Sequence, residues 1–242
     1  MKIVSTYSHK DGQTFITQAR AREFDEVRQA IEQCDAVACL CKISDERTKP
    51  PLLFSPVAMN MGIKTFLHPL GWTETNHGSK KGFREPRIKL GSREFREMDG
   101  IKNKVGLEIQ FGKYAFMGYD IFTKMPIYAK RGLIDCGIEV VVMHSMLGDM
   151  STGVSSFEQI VLDMENRGVA DLDLPTVVVG IAPTDAEMAA CQQKRLRFKT
   201  DRDKMLASGE VSRGFKGSKP GPKGSDFNYV DEGDPAESGE ET

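Results

Sequence analysis

The sequence predicts an α/β domain built on a mixed β-sheet flanked by helices, and three features carry that reading. Cys136–Met143 (CGIEVVVM) and Thr176–Ile181 (TVVVGI) are unbroken β-branched apolar runs of strand length, as expected of strands covered on both faces. Between them, Phe157–Met164 has helical spacing, and strands alternating with helices build parallel sheets. The third feature is Val105–Phe111 (VGLEIQF), which alternates: Glu108 and Gln110 project to one side, while Leu107, Ile109 and Phe111 project to the other.

The remaining elements follow in order. Lys2–Thr6 is a short strand and Tyr7–Gly12 a turn. Phe15–Cys34 has a helical pattern, with Phe24, Val27, Ala30 and Ile31 at spacings of three and four. Asp35–Cys41 is apolar and reads equally as a strand or a helix end. Pro50-Pro51 closes the polar segment Ser44–Pro51. Phe54–Leu70 is helical after Ser55-Pro56, with serine as N-cap and proline at the first helical position. Thr73–Leu90 is a polar, basic loop, and in Tyr119–Ala129 Pro126 is expected to interrupt any single helix. Ser151–Gly168 holds a capping candidate before its helix, and Asp185–Met205 is a charged surface helix. Residues 1–207 form one expected domain. Residues 208–242, rich in Gly, Pro, Ser and charge and basic before they turn acidic, form an expected disordered tail.

Composition excludes some functions. No run of about 18 apolar residues exists to span a membrane, and the first residues turn polar too soon for a secretory signal. Five cysteines, odd in number and in apolar surroundings, suit reduced core thiols of a cytoplasmic protein; Cys39-Leu-Cys41 lacks the spacing and second pair of a zinc knuckle. The four histidines show no ligand spacing. The net charge of −2 hides an asymmetry: without the seven acids of residues 226–242, the balance of 33 basic and 35 acidic residues becomes +5. Lys80–Lys104 and Lys194–Lys223 are locally basic, which suits phosphate contacts at defined places.

Chemistry concentrates in Met98–Tyr114 (MDGIKNKVGLEIQFGKY). A hairpin at Lys102-Asn103-Lys104 would return the Asp99 carboxylate to the side of Glu108, with Gln110 on the same strand face. Two carboxylates and an amide oxygen form half of a hard-cation site, and a bound cation is a natural partner for polar groups in an apolar strand. A half-exposed strand whose polar face meets water fits the same pattern.

A wider resemblance joins these residues. Tyr7-Ser8-His9, Phe54–Asn60 (FSPVAMN), Glu108–Tyr114 (EIQFGKY), Tyr119–Phe122 (YDIF), Met150–Gly153 (MSTG) and Val179–Pro183 (VGIAP) occur in the order found in the BglII/BstYI group of type II restriction endonucleases. The likeness is greater on the BstYI side of that group, which belongs to the PD-(D/E)xK nuclease superfamily, and it covers residues 1–183. It implies a restriction-endonuclease-like core and Mg2+-dependent cleavage of double-stranded DNA at a palindrome with a GATC core (RGATCY or AGATCT-like), leaving 5′-phosphate. It implies that Asp99, Glu108 and Gln110 occupy the active-site positions, with the Ile109 carbonyl open to the same metal and Asn60 on a helix nearby. It also places Gln110 where the superfamily usually has lysine, and an amide takes no proton at neutral pH, so the attacking hydroxide must come from metal-acidified water. Lys113, Ser151 and Thr152 fall where the group reads bases, although BstYI-like sequences have serine in place of Thr152. Lys80 and Lys81 are phosphate-contact candidates. The resemblance further implies a homodimer matched to a two-fold DNA site, with Phe15–Cys34 or Phe54–Leu70 as the dimer helix, and a cognate methyltransferase protecting the same sites. A structure-specific repair or recombination nuclease of the superfamily, or a catalytically inactive DNA-binding module, would share most of these features.

Overall fold

The computed structural model describes residues 1–44, 46–76 and 82–208; Lys80, Lys81 and the tail from residue 209 onward lie outside the described residues. The elements run β1 (Lys2–His9), α1 (Gly12–Ala19), α2 (Ala21–Gln33), a one-turn α3 (Ala36–Cys39), β2 (Leu40–Ile43), β3 (Leu52–Phe54) and α4 (Pro56–Leu67). The ribbon strands β4 (Glu74–Asn76), β5 (Gly82–Arg84), β6 (Arg87–Lys89) and β7 (Phe95–Glu97) lead to β8 (Gly100–Lys102) and β9 (Val105–Ile109). Then come α5 (Tyr114–Tyr119), a π-helical turn over Asp120–Lys124, α6 (Met125–Lys130), β10 (Cys136–Val142), α7 (Phe157–Arg167), β11 (Thr176–Ala182) and α8 (Asp185–Ser208).

A five-stranded mixed sheet in the order β1-β11-β10-β9-β8 organises these elements. Its centre is parallel (β9 with β10, β10 with β11) and both edges are antiparallel. Both parallel connections pass through helices, as parallel pairing requires. Alternation along the strands divides the core. Leu107, Ile109, Ile138, Val140, Val177 and Val179 share one hydrophobic cluster with Ile16, Val27, Ile31, Met59 and Ile63 of α1, α2 and α4. Val141 and Val178 face the other way, against Met117, Ile121, Phe157 and Ile160. Every residue of β9, β10 and β11 is buried, which explains their β-branched runs.

Local chemistry accounts for several boundaries. Ser55 Oγ accepts the Ala58 N–H with Pro56 opening α4, as the sequence predicts. Gln159 caps α7 by accepting the Ser156 N–H at 2.9 Å. The β8–β9 turn places Asn103 and Lys104 at positive φ (44° and 63°), the conformation a tight hairpin requires.

Other expectations are corrected. The helix predicted over Phe15–Cys34 is broken at Arg20 into α1 and α2. Asp35–Cys41 contains both alternatives: Asp35 caps α3, accepting from Val37 and Ala38, and the chain then enters β2. The loop expected over Thr73–Leu90 contains short ribbon strands. Pro126 does not interrupt the helical path. It is the second residue of α6, directly after the π-turn, whose closing bond runs from the Met125 N–H to the Asp120 carbonyl; the change of hydrogen-bond register there accommodates a residue with no N–H to donate. All five cysteines are buried, and none is in a disulfide. His9 is packed, with Nε2 2.9 Å from Asp173 Oδ2. No helix among the described residues is long and apolar enough to cross a membrane.

Candidate active site

The β8–β9 hairpin is anchored from beneath before it carries any chemistry. Lys102 Nζ lies 2.6 Å from Glu26 Oε2, which also accepts the Trp72 indole N–H at 2.9 Å; Asn103 Nδ2 donates to Glu23. Trp72 is fully buried, its carbonyl accepts the Ile101 N–H at 2.8 Å, and Gly100 packs on its ring so closely that a Cβ would stand 3.1 Å from Cε3. The strand pair is thus held by α2 and by an indole.

This frame brings Asp99 beside β9. Asp99 Oδ2 accepts the Ile109 N–H at 2.7 Å, and Oδ1 lies 2.6 Å from Lys64 Nζ, which also reaches Glu85 at 3.0 Å. Asn60, one turn earlier on α4, donates from Nδ2 to the Ile109 carbonyl at 3.1 Å. The other flank comes from the π-turn: Lys124 Nζ lies 2.9 Å from Glu108 Oε1 and 2.6 Å from Asp120 Oδ1. Gln110 donates from Nε2 to Asp120 Oδ2 at 3.1 Å, and its Oε1 accepts the Gly112 N–H at 2.9 Å. Asp99, Glu108, Gln110, Asn60 and the Ile109 carbonyl are therefore one constellation. The half-exposed strand is overturned: Glu108 is 4% exposed because the α5–α6 segment covers that face.

Glu139 joins the site without a signal in the sequence. It is fully buried, stands opposite Glu108 in the parallel register, and neither carboxyl oxygen has a hydrogen-bond partner. Burial first, then the nearby Asp120 and Glu108 charges, pushes the Glu139 carboxyl well above the usual carboxylate range. Burial also raises Glu108 well above its ordinary value, helped by Asp99 and Asp120 and opposed by Lys124. Asp120 is raised as well, chiefly by burial. Lys64 and Lys124 are both raised; burial works against each ammonium, but Asp99 and Glu85 together outweigh it at Lys64, and Glu108 with Asp120 at Lys124.

A pH signature follows. A carboxyl raised on folding contributes stability below its unfolded value near 4.5 and loses it as pH climbs toward the folded value. Glu139→Gln removes that loss. In EDTA, its melting temperature relative to the wild type is expected to rise between pH 4.5 and pH 8; a difference constant with pH would contradict the assignment.

The candidate base-reading residues also come together. Lys113 is exposed and bridges to Val154, and Tyr114 N donates to the Gly153 carbonyl at 3.2 Å. Gly153 takes φ 90°, which lets the Ser151–Val154 loop turn back onto the end of β9. Thr152 is exposed and donates from its N–H (3.2 Å) and hydroxyl to Glu46 Oε2, while the Ser151 hydroxyl is buried without a partner. Glu46 was not foreseen.

Comparison with known proteins places the chain in a family. A family model described as "Restriction endonuclease BglII/BglIII" matches residues 4–181. The chain belongs to the BglII/BglIII restriction endonuclease family. It is a type II restriction endonuclease, a hydrolase that acts on DNA site-specifically. Its fold is similar to the crystal structure of free BglII, with a TM-score of 0.51 and 18% identity, over 76% of this chain and 81% of that one. No curated protein sequence matches the chain significantly. Within this family fold, the candidate centre lies where β9 leaves the sheet, and Lys113 stands three residues beyond Gln110.

Lys64, Asp120, Lys124 and Glu139 are the members that sequence reasoning missed. The spacing Asn60/Lys64 and Asp120/Lys124, each i and i+4, was the available signal.

Proposed function

We propose that this endonuclease cleaves double-stranded DNA with Mg2+ at a palindrome with a GATC core, leaving 5′-phosphate ends. The observation that carries the cleavage centre is the Asp99 carboxylate fastened to the Ile109 N–H, beside the buried Glu108 on the next strand. The donors fit a hard divalent cation: two carboxylates, the Ile109 carbonyl and the Gln110 amide oxygen. Glu108 Oε1 is buried and held only by the Lys124 ammonium at 2.9 Å, a carboxylate oxygen that already faces a cation, which supports that fit. Among the described residues no three acidic, histidine or cysteine side chains already stand in coordinating positions, and ammonium groups balance the acids. Asp99, Glu108, the Ile109 carbonyl and the Gln110 amide oxygen are the proposed ligands.

When bound, the ion would acidify a water and offset charge on the transferring phosphoryl group. The protein's own groups set the geometry. Asn60 polarises and orients the Ile109 carbonyl, whose second lone pair stays available. Gln110 contributes no base. Its amide, fixed between Asp120 and Gly112, orients a neighbouring water or phosphate. Exclusion of bulk water around Glu108 strengthens each of these interactions.

Specificity is assigned to the Lys113/Ser151/Thr152 surface, with Lys80 and Lys81 as phosphate contacts. Lysine can donate to guanine O6 and N7 in the major groove. Lys113→Ala is expected to reduce discrimination between the cognate duplex and one substituted at a guanine by about 10- to 100-fold, measured as a ratio of cleavage rates. Uniform weakening with a salt slope smaller by about one would assign Lys113 to phosphate instead.

The proposed assembly is a homodimer, one centre per strand. Val57 and Met61, each 54% exposed and one turn apart on α4, support α4 as the dimer helix. A cognate methyltransferase would shield host sites. The whole reading is tested by digesting unmethylated plasmid DNA with Mg2+ and sequencing the ends. Fragments ending at GATC-containing palindromes are expected; discrete ends without that core would overturn the specificity, and a smear would favour a structure-specific nuclease.

A further inference from the structure

We propose that Lys124, paired with Asp120, is a positioning residue of the cleavage centre: it holds the Glu108 oxygen that a divalent cation would otherwise neutralise, and the pair aligns Glu108 and Gln110 before the ion arrives. The inference rests on the proposed reading of Asp99, Glu108 and Gln110 as that centre.

The first observation is how the pair is shared. One ammonium spans Glu108 Oε1 (2.9 Å) and Asp120 Oδ1 (2.6 Å), and the other Asp120 oxygen takes the Gln110 amide at 3.1 Å. Two residues of one helical turn therefore fix Glu108 of β9 and Gln110, which directly follows it. Lys124 and Asp120 have 14% and 3% of their side chains exposed, so the contacts are shielded from water. An unpaired acid would be costly there.

The second observation is the backbone. Asp120 and Lys124 open and close a five-residue π-turn, a rare geometry found mostly as single turns and frequently at functional sites. Here its two ends present an acid and an ammonium to the same strand.

The third is crowding. Asp99, Glu108, Asp120 and Glu139 all influence one another, and Glu139 has no donor of its own. On the opposite flank Lys64 divides its charge between Asp99 and Glu85. Both carboxylate partners of Lys124 belong to the Glu108/Gln110 side of the site. Lys124 is thus the cation that keeps those acids in line, and a bound divalent ion must share Glu108 with it. Removing the ammonium should therefore strengthen cation binding while loosening the alignment that cleavage needs.

The test compares wild type with Lys124→Met, Lys124→Arg, Asp120→Asn and Asp99→Ala. Tb3+ luminescence of the DNA-free protein at pH 8 reports cation affinity, and single-turnover cleavage at saturating Mg2+ reports alignment. Lys124→Met is expected to bind Tb3+ at least about fivefold more tightly, because a unit charge leaves the cation's neighbourhood. It is expected to cleave about 100-fold more slowly, the scale of a small misplacement at a reacting centre. Its melting temperature in EDTA should fall and recover with Tb3+. Lys124→Arg should restore Tb3+ affinity to within about twofold of wild type, since the charge is kept. Where Lys124→Met does not fold, Asp120→Asn carries the test and should bind Tb3+ at least about threefold more weakly. Unchanged Tb3+ affinity and unchanged cleavage in Lys124→Met or Asp120→Asn, with Asp99→Ala inactive, would overturn the positioning role. Full activity in Asp99→Ala would instead overturn the reading of the centre itself.

Discussion

Asp99→Asn is expected to lower magnesium-dependent cleavage by about 10²- to 10³-fold while leaving a folded protein. The amide retains an oxygen that can accept the Ile109 N–H, the 2.7 Å contact that fastens the hairpin to β9. It loses the negative charge that faces Lys64 at 2.6 Å and that the proposed ion would use. Lys64 keeps Glu85 as a partner, so the buried ammonium is not abandoned. On the proposed reading, what disappears is a fixed charge placed where charge changes in the reaction, and removing one such group typically has an effect of this size. Asp99→Ala removes the acceptor as well and should add a loss of stability. Single-turnover rates on a GATC duplex, measured beside DNA affinity, separate the two: Asp99→Asn should bind DNA nearly as the wild type does. Wild-type cleavage by Asp99→Asn would remove Asp99 from the centre.

The second large effect concerns the frame. Trp72→Ala is expected to destabilise the protein by about 3–5 kcal/mol, the range for a large aromatic removed from a core. The indole is fully buried, supports Gly100 at the start of β8, and donates to Glu26. Without it Glu26 keeps Lys102, but the hairpin loses the surface that sets its height above α2. The denaturant midpoint should fall with little change in slope. Cleavage measured well below the new midpoint should also fall, because Asp99 begins that hairpin. Trp72→Phe should recover most of the packing without the hydrogen bond to Glu26.

The parts of the fold legible in the sequence were those governed by local rules. The runs CGIEVVVM and TVVVGI could only be strands covered on both faces, and Ser55-Pro56 marked the start of α4 because its capping chemistry lies within four residues. The Asp99/Glu108 neighbourhood was legible because a hairpin joins them. Its support was not. Lys64 is 35 positions before Asp99, and no periodicity links it to the hairpin. Glu139 looked like one polar residue in an apolar strand, and only the parallel register of β9 with β10 sets it beside Glu108. Pro126 misled because proline costs a regular helix one backbone hydrogen bond, whereas the π-turn just before it, which no periodicity announces, shifts the bonding register where that N–H would be needed. Likeness of motif pointed to Lys113, Ser151 and Thr152 as the candidate base-reading surface. Its closure by the Lys113–Val154 bridge, and the hold of Glu46 on Thr152, depend on chain segments about 40 and 106 positions apart.

The central claim is that the Asp99–Glu108–Gln110 hairpin is a magnesium-dependent cleavage centre. The most direct measurement is single-turnover cleavage of one end-labelled GATC duplex across a Mg2+ titration, by wild type and by Glu108→Gln, with the product ends identified. Wild type should give 5′-phosphate ends at a rate that rises with Mg2+ and vanishes in EDTA, and Glu108→Gln should bind the duplex but leave it intact. Cleavage that persists in EDTA, or that Glu108→Gln performs at the wild-type rate, would contradict it.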